Sequence, residues 1–81
     1  MSYRSRLRVK RAILEVIENQ LRDNNPPETR QTLDRLLSAG FSRQTAVEMI
    51  GSAVAAEIWY IGHEKEHFNI ERYRTALKAL G

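Results

Sequence analysis

His63-Glu64-Lys65-Glu66-His67 carries the letters of the zinc-hydrolase pattern H-E-x-x-H. On a helix, two imidazoles at this spacing lie one turn apart on one face and can chelate zinc, while the intervening glutamate acts on a metal-bound water. The surroundings weaken this reading. The two middle positions are charged, Gly62 precedes the pattern, there is no third histidine, and only Glu71 follows as a further ligand. A solvated polar helix end accounts for the same letters, so no cofactor is expected. His63 and His67 are the candidate ligands if a metal binds. Glu64 and His67 also match one Glu-x-x-His half of a di-iron carboxylate site, but the chain holds no second pair to complete it.

A second constellation is cationic. Arg4, Arg6, Arg8, Lys10 and Arg11 give the first eleven residues five positive charges and no acid, while eight basic and ten acidic residues leave the remainder at −2. Such asymmetry suits nucleic acid, an anionic membrane or an acidic protein surface, and it also describes a solvated basic arm over residues 1–6. Gly40-Phe41-Ser42-Arg43-Gln44-Thr45-Ala46, followed by Ile50, is similar to the turn and recognition-helix start of helix-turn-helix repressors. Arg43, Gln44 and Glu48 would then face base edges, with the basic run on phosphates. Leu36 departs from the small residue usual in the first helix, and the would-be recognition helix is among the most apolar segments. A tight αα-hairpin explains the turn equally well. The spacing of Leu36, Gly40, Phe41 and Ala46 also resembles the Gly-Phe loop of ubiquitin-associated domains, a three-helix module that leaves the first helix unexplained.

Glu57 is the third candidate. It sits inside Ala46–Ile61, a segment whose only plainly polar residues are Glu48, Ser52 and Glu57. At 100° per residue, Ala46, Met49, Ile50, Ala53, Val54, Ile58, Tyr60 and Ile61 share a broad face with Glu57 at its centre. A carboxylate in a core costs several kcal/mol unless paired. Glu57 is therefore expected to be a buried structural carboxylate, paired with Arg30, Arg72 or the amides that precede the second helix. Ser52, Ala55 and Trp59 line the opposite, narrow side. That side is either covered by the first helix or is an interface.

These residues need elements to position them, and the periodicity predicts four helices and no strand. From about Ser5 to Asn24, Leu7, Val9, Ile13, Leu14, Val16, Ile17 and Leu21 recur at three- and four-residue steps. The basic first turn of this helix opposes its dipole, so either the helix starts later or a partner's negative charge offsets the conflict. Asn25 is expected to cap the second helix, with Pro26 at its first position, Glu28 completing a capping box, and Gly40 closing the end at Ala39. Ser42 caps the third helix and Asn69 the fourth. The stretch from His63 to Phe68 reads equally as helix or loop. The expected fold is an all-α, compact four-helix bundle forming one domain over residues 1–81, with a central third helix apolar nearly all round.

Asn25-Pro26-Pro27-Glu28, Leu33, Leu36, Gly40-Phe41-Ser42, Ala46, Ile50, Glu57-Ile58, Phe68-Asn69, Arg72-Tyr73 and Ala76-Leu77 together resemble a group of small bacterial all-helical domains of unknown function. The resemblance covers roughly residues 25–80. It implies the fold and a bacterial, cytoplasmic origin, and it carries no catalytic residue across. The absence of Cys excludes disulfides and thiolate zinc sites, and nothing at the N-terminus reads as a secretory signal. The expected function is a non-enzymatic protein–protein interaction module that self-associates as a dimer and stays off membranes. Nucleic-acid binding is the alternative, and a metal-dependent hydrolase the third reading.

Overall fold

Local chemistry sets the helix boundaries in the computed structural model, which describes residues 3–81. The helices are α1 (Tyr3–Asp23), α2 (Pro27–Ser38), α3 (Arg43–His63) and α4 (Ile70–Lys78), and no strand occurs among the described residues. Ser42 accepts from the Thr45 N–H at the start of α3, and Asn69 from the Arg72 N–H at the start of α4. Each satisfies an amide that a helix start leaves without a partner. Gly40, at φ +101°, closes α2. Its N–H donates to the Leu37 carbonyl and that of Phe41 to the Leu36 carbonyl, a Schellman motif with Phe41 packed back on the core.

Two boundaries differ from expectation. The cap of α2 is Pro26 rather than Asn25, with Pro27 at the first helical position and no side-chain capping bond. Proline suits the new first position because its missing N–H has no helical partner there. Moreover, α1 begins by Tyr3, so residues 3–6 are helical and do not form the expected arm. Residues 1 and 2 lie outside the described residues.

The core joins Ile17 from α1, Leu33 and Leu36 from α2, Ile50 and Val54 from α3, and Tyr73 and Leu77 from α4. Helix α3 packs on all three companions, as expected of the central helix, and α2 also touches each of the others. Helices α1 and α3 run antiparallel: Glu18 meets Arg43 at 3.8 Å, while earlier Ile13 meets later Gly51. A Cβ on Gly51 would lie 3.3 Å from Ile13 Cγ2, so the bare glycine sets how closely the two helices approach. Gly51→Leu is expected to cost about 1–3 kcal/mol in urea unfolding by forcing α1 outward. A leucine variant as stable as the parent would show that α1 is not held here.

Helix α3 is not encircled along its whole length. Val47 and Gly51 are buried, whereas Ile58 and Ile61, expected on the core face, are 40% and 45% exposed, and Tyr60 is only half-buried. On the helical wheel, Ile58 and Ile61 keep the angular sector of Val47, Ile50 and Val54. Their exposure means that α3 runs on past the turns its companions cover.

Candidate functional site

The uncovered end of α3 is held in place by one buried carboxylate. Glu57 is 2% exposed. It accepts from Arg72 Nε at 2.5 Å, from Arg72 Nη2 at 3.0 Å and from the Asn69 backbone N–H at 2.9 Å. In an ordinary capping box the third helical residue accepts from the cap residue's own N–H. In α4 that third residue is Arg72, a cation, and Glu57 supplies the missing acceptor from a different helix. Arg30 plays no part, and the amide concerned precedes α4 rather than α2. Hydrogen bonding from Arg72 holds the Glu57 carboxyl below its ordinary range; burial opposes this, and the Asn69 N–H adds to the lowering. The same guanidinium donates to Glu66 at 2.6 Å and lies 3.7 Å over the Tyr60 ring, so Arg72 ties α3, the 64–69 connection and α4 together.

This clamp determines what becomes of the histidines. Helix α3 stops at His63, and Lys65 takes φ +54°, a left-handed conformation that side chains rarely adopt. His67 therefore lies in a non-helical connection, and the one-turn spacing that the zinc pattern requires is not formed. His63 stacks on Trp59 with ring centroids 5.0 Å apart, and its Nδ1 lies 3.2 Å from the Trp59 carbonyl oxygen. No group of three or more His, Asp or Glu side chains is placed to hold a metal among the described residues.

Trp59 is 47% exposed, Ser52 is exposed and Ala55 is half-buried, so α1 does not cover this side. With Ile58, Ile61 and Phe68, itself 42% exposed, Trp59 leaves a run of large apolar side chains in water around the end of α3. Arg4, Arg6, Arg8, Lys10 and Arg11 are all exposed along the first turns of α1. At 1.5 Å per residue, the antiparallel packing sets Arg4 about 20 Å along the pair from Arg43. Arg4 and the Gly40–Thr45 turn thus sit toward opposite ends of the α1/α3 pair, whereas Lys10, at the other end of the basic run, lines one depression with Arg43 and Gln44. Arg43 faces Glu18, and Gln44 donates to Glu48 at 3.3 Å.

Two features had no individual signal in the sequence. The first is a groove of about 270 Å³ between α1 and α3, floored by Val9, Ile13, Leu14, Val47 and Gly51. Its rims are Arg6 and Lys10 on one side and Glu48 on the other. The second is a buried polar triad. The Thr29 and Tyr73 hydroxyls both donate to Gln20 Oε1, at 2.7 and 2.8 Å, and lie 3.2 Å from each other. Burial pushes the Tyr73 phenol up, so it stays a protonated donor. No buried side-chain polar atom lacks a partner among the described residues, and the triad is therefore a tie between α1, α2 and α4. None of the described helices is long and apolar enough to cross a membrane. Comparison with protein-family models, with curated proteins and with solved structures finds no match to this chain.

Proposed function

We propose that this chain is a non-enzymatic helical interaction module that self-associates through the uncovered end of α3. The supporting observation is the exposure of Trp59 and the adjacent Ile58, at 47% and 40%, on a helix that the Glu57–Arg72 clamp holds in place. Full burial of one such side chain contributes about 1.5–3 kcal/mol, so covering the open halves of both offsets part of the cost of association. A second copy supplies a matching apolar surface across a two-fold axis, and the small Ser52 and Ala55 alongside allow close approach. Trp59 is the only indole in the chain and reports the event directly. Its emission is expected to shift to shorter wavelength as concentration rises, while Ile58→Asp holds it at the dilute value. Emission unchanged across the concentration series would remove self-association through this surface.

A second reading is supported by the exposed cations of the first turns of α1, Arg4, Arg6, Arg8, Lys10 and Arg11, none of which forms an ion pair among the described residues. Here the basic helix binds nucleic-acid phosphates, with Arg43 and Gln44 near Lys10 but about 20 Å from Arg4.

A further inference from the structure

We propose that the groove between α1 and α3 is a docking site for an acidic amphipathic helix of a partner protein, separate from the self-association surface. Three observations converge on it. The floor is apolar and open, with Val9 40% and Leu14 37% exposed although both point between two helices. The α1 rim carries Arg6 and Lys10, backed by Arg4, Arg8 and Arg11, with no acid in the first turn of the helix. The helix nevertheless begins by Tyr3, so its positive end and its own cations repel one another. Carboxylates laid beside Arg6 and Lys10 relieve both conflicts at once.

The groove also sets the length of its occupant. A second depression, sharing Lys10, Leu14, Val47 and Glu48, continues it as far as Glu18 and Arg43. From Arg6 to Glu18 is about 18 Å at 1.5 Å per residue, or roughly three turns of a docked helix. Such a helix inserts apolar residues at i, i+3 or i+4, and i+7, with carboxylates at the end beside Arg6 and Lys10. A second copy is a poorer occupant, because a two-fold axis at the cationic end would bring two clusters of like charge together. Nucleic acid would use the cations and leave the apolar floor uncovered.

The probe is a fluorescein-labelled synthetic peptide of about three turns with leucines at those spacings and glutamates at one end, titrated with the full chain and followed by anisotropy. Saturable binding is expected. It should weaken roughly tenfold on replacing the peptide's glutamates by lysine, and by a similar factor for Leu14→Ser and for Arg6→Glu with Lys10→Glu. All three altered side chains are exposed, and thermal melts by circular dichroism confirm that the variants remain folded. Equal affinity for the glutamate and lysine peptides, or no saturation at millimolar protein, overturns the proposal. A duplex oligonucleotide that binds with a steep salt dependence, displaces the peptide and is insensitive to Leu14→Ser also overturns it, and assigns the cations to phosphate instead. Neither result bears on the Trp59 emission, which tests the self-association surface.

Discussion

Glu57→Ala is expected to lower the unfolding free energy by about 3 kcal/mol, whereas Glu48→Ala stays within about 0.5 kcal/mol. The two glutamates share a helix and differ in surroundings. Glu48 is exposed and bonded only to Gln44, while Glu57 is buried and accepts three hydrogen bonds. Removing Glu57 leaves the Asn69 N–H and part of the Arg72 guanidinium without their acceptor. It also unties the end of α3 from α4. Urea unfolding of the two variants is the check, and equal midpoints would contradict the clamp.

The same residue gives a pH dependence with a defined sign. The folded-state pKa of Glu57 lies below its ordinary 4.5, chiefly through hydrogen bonding from Arg72. Its stabilisation is therefore complete above about pH 4.5 and is lost as pH falls through the lower folded value. Glu57→Gln should flatten this acid limb. Arg72→Met should reverse the slope, since a buried carboxyl without its cation takes up a proton and loses stability as pH rises.

Tyr73→Ala is expected to cost about 3–5 kcal/mol, the range for emptying a large aromatic site in a core. Tyr73 is fully buried, and its ring also lies 5.4 Å from that of Phe68. Tyr73→Phe separates packing from polarity. It keeps the ring and removes one donor from Gln20, while Thr29 still supplies the other, and should cost about 1–2 kcal/mol. Thermal and urea unfolding give both values. A phenylalanine variant as damaged as the alanine one would mean that the Gln20–Thr29–Tyr73 triad, rather than packing, dominates.

What the sequence disclosed and what it hid follow from the range of the interactions. Ser42 and Asn69 act on amides three residues away, and Gly40 on its own backbone, so their roles are written in adjacent letters. The repeating apolar positions of α1, α2 and α4 likewise marked the buried Ile17, Leu21, Leu33, Leu36 and Leu77, and the four-helix, all-α fold follows from them, although Val9, Leu14 and Leu37 of the same stripes are left exposed. The second-helix cap was displaced by one residue because two successive prolines can each occupy a first helical turn. Three things could not be read locally. The acceptor of the Asn69 N–H comes from another helix. Gln20, Thr29 and Tyr73 meet only when α1, α2 and α4 pack. The exposure of Ile58 and Ile61 depends on where the companions of α3 end, which a wheel drawn for one helix does not contain. The His63–His67 spacing failed for a related reason: Lys65 ends the helix in a left-handed conformation usually left to glycine or asparagine.

Sedimentation equilibrium across a concentration series tests most directly whether the end of α3 is an interface. The 9.4 kDa chain is expected to approach twice its mass as concentration rises, and Ile58→Asp to remain monomeric with its helical content intact. A parent chain that stays at 9.4 kDa throughout, or an aspartate variant that doubles as readily, would contradict the account.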